Sequence, residues 1–191
     1  MEEIRETIAA NPRGPNTQAD ATMPTHSEFI DVLDEHGNVI NAVTREKIYA
    51  DKLPHRIVHV FVERNGAIFL QRRSSTMRYY PNSLCTSAGG HVLAGEAPVE
   101  AAARELREEL GLEAPLELLD EFVYNDSHQR RIFLFRTQSS QEMNFSDREV
   151  SGGQFLSREE LRNVAAGDCH PQLPACIERY LSIVTTTNVS A

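Results

Sequence analysis

"GHVLAGEAPVEAAARELREELGL", residues 90–112, carries the reading of this chain. Its second half has the marks of a helix. Pro98 stands near the first turn, where the missing N–H has no helical partner to lose. Gly111 stands where a helix closes on a left-handed residue. Val99, Ala102 or Ala103, Leu106 and Leu110 make an apolar stripe at helical spacing, which predicts one buried face. Glu105, Glu108 and Glu109 follow an i, i+3, i+4 spacing and share a different face. Like charges so placed repel by about a few tenths of a kcal/mol per pair. Arg104 and Arg107 offset that weakly. A bound Mg²⁺ or Mn²⁺ offsets it strongly, because hard cations take carboxylate oxygens. Gly89, Gly90 and Gly95 precede the helix and let backbone N–H groups and carbonyls approach a phosphate or metal.

The spacing is more specific than the composition. It resembles the Nudix box, the signature of hydrolases acting on diphosphates linked to another moiety. That pattern is Gly, five residues, Glu, seven residues, then Arg-Glu-aliphatic-any-Glu-Glu-any-Gly-aliphatic. Gly90, Glu96, Arg104, Glu105, Leu106, Glu108, Glu109, Gly111 and Leu112 meet every required position. Seven fixed identities at roughly 5–7% usage each recur by chance on the order of 10⁻⁹ per window. The resemblance implies a Nudix fold, an α/β (α+β) arrangement with a mixed β-sheet sandwiched between α-helices. It implies that Glu105, Glu108 and Glu109 bind metal and supply a base, joined by a backbone carbonyl at Gly89 or Gly90. Arg104 would orient the glutamates, and Glu96 would hold the loop. The implied reaction is Mg²⁺- or Mn²⁺-dependent pyrophosphohydrolysis of a small-molecule diphosphate, with water attacking phosphorus. Glu105 and Glu109 are both candidates for the base. Glu149 in "SDREVSGGQFLS" is a candidate further base or ligand. Arg72, Arg73 and Arg78 are candidates for the distal phosphate, since a guanidinium suits phosphate geometry.

Outside the box, the pattern alternates strands and helices. Phe29, Val32 and Leu33 lead into the turn "DEHGN", and Val39, Ile40 and Val43 return, which predicts a hairpin. Ile57 to Val62 is rich in β-branched and aromatic residues, Asn65-Gly66 is a hairpin turn, and Ile68, Phe69 and Leu70 come back. "PNSLCTSAGGHV" reads as a loop and short strand. "LELLDEFVYN" and "RRIFLFRTQ" read as strands joined by "DSHQ", and "SGGQFLS" as another. Ser157 with Glu160 is a capping box for a helix over residues 158–164. Ile177, Tyr180, Leu181 and Val184 stripe a second helix over 174–184. Strands and helices in this order predict a mixed sheet covered on both sides. Residues 1–26 are polar and proline-bearing, and read as a flexible N-terminal arm with a short helix over 2–10. Residues 27–186 form the domain and 187–191 a tail.

"FIDVLDEHGNVI", "PHRIVHVFV" and "LQRRSSTMRYYPNSLCTSAGGHV" look like the isopentenyl-diphosphate isomerase branch of the same fold. Those isomerases carry a cysteine directly before the Gly-His pair; Gly89 stands there, and Cys85 lies four residues earlier. His55 and His91 match two of their metal-binding histidines, Ile48 replaces a third, and Gln129 and Arg131 fall near their glutamate pair. The complete box therefore favours an isomerase-like hydrolase. The isomerase itself and a non-catalytic binding protein are the alternatives. His55 and His91 are read as hydrogen-bonding neighbours of the site. Tyr79 and Tyr80 are candidates for stacking on a ligand, and Phe133 for core packing.

Composition agrees with these readings. Hydrophobic residues are 40% and charged residues 25% of the 191. A formal net charge of -9 disfavours nucleic acid and anionic membranes as partners, since both want a basic face. Cys85, Cys169 and Cys176 fit no zinc spacing and read as reduced core thiols. No stretch has the roughly 20 apolar residues of a membrane span, and the acidic start lacks a signal-peptide core. A cytoplasmic protein is expected, with a homodimer the default on symmetry.

Overall fold

The computed structural model describes residues 7–9, 28–145, 148–164 and 169–187. The central sheet is built on strand β4 (His55–Arg64), which is buried along nearly its whole length. Burial on both faces explains its near-continuous run of valine, isoleucine and phenylalanine. Val58, Val60 and Val62 face one core cluster, and Phe61 faces the other. Strand β5 (Ala67–Arg73) returns antiparallel beside β4. The turn between them has Asn65 at φ 51 and Gly66 at φ 80, the pair of positive values that matches strand twist in a two-residue hairpin.

Four further strands complete the ordered sheet. β9 (Gln129–Gln138) runs parallel to β4, and β8 (Glu117–Asn125) pairs antiparallel with β9. β10 (Val150–Leu156) lies on the far side of β5, and β1 (Thr7–Ala9) lies outside β10. The order is β1-β10-β5-β4-β9-β8, with short β6 (Leu84–Cys85) on β5 and β7 (Ala88–His91) on β4. A separate hairpin joins β2 (Phe29–Leu33) and β3 (Val39–Thr44), as the alternation predicts.

Helices cover both faces. α2 (Pro98–Leu110) lays Ala101, Ala102, Leu106 and Leu110 over the valine face of β4. Full burial of a leucine side chain is worth about 1.5–3 kcal/mol, so Leu106 and Leu110 anchor the helix. Glu100 accepts a hydrogen bond from the Ala97 N–H at 3.0 Å, and Gly111 closes the other end at φ 65. On the opposite face, α3 (Arg158–Arg162) and α4 (Leu173–Thr187) bury Leu161, Leu173, Ile177, Tyr180 and Val184 against Phe61, Ile132 and Leu134. The Ser157–Glu160 capping box is formed.

Three readings of the sequence change. Thr7–Ala9 is a strand rather than part of a helix, because β10 offers an open row of backbone groups that β1 covers. The rest of the expected arm, residues 1–6 and 10–26, together with Ser27 and residues 188–191 of the tail, lies outside the described residues. Val99 is 49% exposed while Ala101 is buried, so the apolar stripe of α2 is rotated by the way the helix sits on β4. Helix α1 (Arg45–Asp51) was not anticipated; Thr44 caps it by accepting from the Lys47 N–H at 3.4 Å. Cys85, Cys169 and Cys176 are all buried, as expected.

Candidate active site

β7 and α2 put the glutamates against backbone. β7 pairs antiparallel with β4, with Gly89 opposite His59 and Gly90 opposite Val58. The Gly89 N–H donates to Glu109 Oε2 at 2.9 Å, and Gln71 Nε2 donates to the same oxygen at 3.1 Å. Glu109 is 2% exposed and sits between helix and sheet. A Cβ on Gly90 would run into the Glu105 carboxylate, and one on Gly89 would lie 2.7 Å from the Val58 carbonyl oxygen. Glycine is therefore the residue that lets this strand lie so close to the glutamate face.

Arg104 ties the acidic cluster together. Its Nε and Nη2 donate to the two oxygens of Glu96 at 3.0 and 3.1 Å, and Nη2 also donates to the His91 carbonyl at 2.9 Å. Nη1 donates to Glu105 at 2.7 Å and to Glu108 at 3.3 Å. Glu96 in turn accepts from the Leu93 N–H at 2.9 Å, which fixes the turn before α2. Burial pushes the Glu105 carboxyl up to about 7 despite Arg104, with Glu108 and Glu149 adding repulsion. Burial and the nearby Glu105 charge push Glu109 well above the usual carboxylate range, against the pull of Gly89 and Gln71. Arg104 is held charged more firmly than usual by Glu96 and Glu105, which outweigh its own burial.

Part of this group lines a cleft of about 310 Å³, while Glu96 and Glu109 are not among its lining residues. Gly89, Gly90, Arg104, Glu105, Glu108 and Glu149 line it. Of the arginines predicted for phosphate, Arg73 lines the cleft, with Nε donating to the Tyr79 carbonyl at 3.3 Å. Arg72 points away and donates to the Asn82 carbonyl at 2.6 Å; Arg78 lies over the Tyr79 ring at 5.3 Å. Neither is among the cleft-lining residues. Tyr79 and Tyr80 reach the cleft and are 42% and 46% exposed, while Phe133 packs in the core as expected. Tyr49, His91, His128 and Arg130 also line the cleft. Of these the sequence flagged His91 alone. The others come from α1 and from the turn and strand after β8, and no local motif marks them.

The shared spacing, fold and site decide the family. The NUDIX domain model matches residues 53–175. The chain belongs to the NUDIX domain family. The Nudix hydrolase YfcD of Shigella flexneri is 35% identical over 139 residues, spanning 71% of this chain and 77% of that protein. A Nudix hydrolase of Yersinia pestis is 40% identical over 86 residues, 44% of this chain and 47% of the relative, so the match spans about half of that protein's length. Among solved structures, DR0079 from Deinococcus radiodurans superposes at a TM-score of 0.68 and 28% identity, over 80% of this chain and 98% of that one. The MutT protein of Methanosarcina mazei, 18% identical at a TM-score of 0.59, shares the fold.

The Nudix glutamates suit a hard cation by chemistry. Carboxylate oxygens and a backbone carbonyl are its preferred donors, and buried like charges need a counter-charge. Among the described residues, no three acidic, imidazole or thiol side chains already stand in ligating arrangement. Arg104 engages Glu105, while Gly89 and Gln71 engage Glu109. The space left by the missing Gly90 side chain is where the Glu105 carboxylate lies. No helix among the described residues is long and apolar enough to cross a membrane.

Proposed function

We propose that this Nudix protein is a divalent-metal-dependent hydrolase that cleaves the phosphoanhydride of a diphosphate linked to another moiety. The observation that carries the reading is a pair of carboxylates, the partly buried Glu105 and the buried Glu109, packed on the Gly89–Gly90 backbone, with Glu105 lining the cleft. Glu105, Glu108, Glu109 and the Gly90 carbonyl would hold Mg²⁺ or Mn²⁺. A divalent ion there neutralises diphosphate oxygens and lowers the pKa of a bound water. Arg104 keeps Glu105 and Glu108 aligned and is itself fixed by Glu96 and the His91 carbonyl. Glu105 is a candidate to accept the proton of the attacking water. Glu109 and Glu149 remain candidates for the same role. Arg73 has no carboxylate partner among the described residues and would hold the distal phosphate.

The isomerase reading is disfavoured by Cys85. It is 5% exposed, its thiol is pushed up to about 11 by burial, and it is separated from the Gly-His pair by four residues of chain. The hydrolase branch it most resembles outside the box is nonetheless the isomerase-like one. A binding-only protein would have no use for a base among the box glutamates. The test is a panel of diphosphates with Mg²⁺ or Mn²⁺, reading phosphate or monophosphate release for wild type, Glu109→Gln and Cys85→Ser. Release by wild type and Cys85→Ser, lost in Glu109→Gln, is expected. Equal release by Glu109→Gln, or interconversion of prenyl diphosphate isomers abolished by Cys85→Ser, overturns the reading.

A further inference from the structure

Glu109 is held by a peptide group that is itself held from behind. The Ala88 carbonyl and the Gly89 N–H belong to one planar unit and point in opposite directions across it. The Gly89 N–H donates to Glu109 Oε2 at 2.9 Å, and the Thr86 hydroxyl donates to the Ala88 carbonyl at 3.1 Å. Fixing one end of a rigid plane aims the other, so Thr86 sets the direction of the Gly89 donor. Thr86 Oγ1 lies 2.7 Å from His59 Nδ1. His59 Nε2 lies 2.7 Å from the side-chain amide of Gln172, 113 residues further along the chain and just before α4. Ser87 pins the same corner between β6 and β7, accepting from the Val62 N–H at 2.8 Å and donating to the Phe69 carbonyl.

The protons run one way along this line. A threonine hydroxyl has one proton, and Thr86 gives it to Ala88, so its oxygen accepts from the His59 Nδ1–H. Burial pulls the His59 imidazole down to about 4, which leaves the ring neutral near pH 7 with a lone pair on Nε2. Gln172 completes the line when its amide NH2 faces that lone pair. Every donor then points toward Glu109, and hydrogen bonds in series polarise one another in the same sense. His59, Thr86 and Gln172 are all buried. Apolar side chains would fill this core without the desolvation that three polar ones incur. His59 also stands opposite Gly89 in the sheet, and a Cβ on Gly89 would come within 2.8 Å of its Nδ1.

We propose that His59 and Thr86 are positioning residues for Glu109, anchored by Gln172, and that they hold the Ala88–Gly89 peptide so that Glu109 and the adjoining Gly90 carbonyl keep their places for a divalent cation. The metal half of this inference rests on the hydrolase reading; the peptide half does not.

Matched substitutions separate positioning from packing. Asparagine puts its amide near the place of His59 Nδ1, and glutamine puts it near Nε2. His59→Asn therefore keeps the bond to Thr86 and His59→Gln gives it up, although both open the same core. Thr86→Ser keeps the hydroxyl, and Thr86→Val keeps the shape without it. Amide exchange in metal-free protein reads the Gly89 N–H, with the amides of β9 as the control for overall opening. Gly89 should exchange about tenfold faster in His59→Gln and Thr86→Val, the scale of one lost buried hydrogen bond, and near the wild-type rate in His59→Asn and Thr86→Ser. Calorimetric Mn²⁺ uptake should follow, weaker by about 10–100-fold in the first pair and close to wild type in the second. The Thr86 pair decides alone if the His59 variants do not fold. Gly89 exchange unchanged in the first pair or raised equally in all the variants overturns the proposal, as does Mn²⁺ affinity that is measurable in wild type and the same throughout. If Gly89 exchange splits as expected but wild type takes up no Mn²⁺, the peptide positioning stands and the hydrolase reading fails.

Discussion

Replacing Glu105 with glutamine should stabilise the metal-free fold, and the gain should grow with pH. The Glu105 carboxyl is raised from 4.5 to about 7, chiefly by burial, and its side chain is 14% exposed. A carboxyl raised on folding binds its proton more tightly in the folded state. Its favourable contribution is present below pH 4.5 and is lost as pH climbs through about 7. The gap of about 2.5 pH units, at about 1.4 kcal/mol each, makes about 3.5 kcal/mol in full, of which about 3 is expressed by pH 8. Glutamine resembles the protonated form and escapes the loss. The buried histidines act in the opposite sense: burial depresses His55 and His59 to about 4 and His170 to about 3, so they weaken the fold as pH falls. They are common to both proteins and cancel in the difference. Urea or thermal unfolding in chelator should show the variant and wild type close together at about pH 4. At about pH 8 the variant should be ahead by about 3 kcal/mol, a melting shift of about 6–12 °C for a chain of this size. A difference that is flat with pH, or a variant less stable at the alkaline end, would refute the view that these carboxyls are held in reserve for a counter-charge.

Gly90→Ala should keep the fold but lose most of its divalent-metal uptake by calorimetry, because the new methyl displaces the Glu105 carboxylate rather than backbone. Gly89→Ala meets the Val58 carbonyl at 2.7 Å and should instead lower unfolding free energy by about 1–3 kcal/mol. Glu109→Gln should reduce diphosphate hydrolysis by about 100-fold or more in steady-state assays, the usual scale for removing a positioned proton acceptor. Tyr180→Phe removes the 2.8 Å bond to Glu63 in the opposite core, and should cost about 1–3 kcal/mol in denaturant titrations with hydrolysis unchanged.

The sequence by itself determined the elements whose signals are local. Pro98, Gly111 and the glutamate spacing placed the Nudix helix, Asn65-Gly66 placed a hairpin, and Ser157 with Glu160 placed the start of α3. Box spacing also put Arg104 with the glutamates, since residues on one helical turn are neighbours whatever surrounds them. Strand alternation separates Arg72 from Arg73, but only the pairing of β5 with β6 and β10 decides which one faces the cleft. Burial of Glu109 depends on Gly89 and Gln71, which lie 20 and 38 residues away, so no local pattern announces its raised pKa. Thr7–Ala9 becomes a strand only because β10 is there to pair with it. The neighbourhood of His55 and His128 is the clearest case. β4 and β9 run parallel with His55 opposite Arg130, which brings the turn containing His128 beside His55 from 73 residues further along the chain. Helical spacing is fixed by the covalent chain, whereas protonation depends on which distant groups exclude water, and that is settled only when the sheet closes.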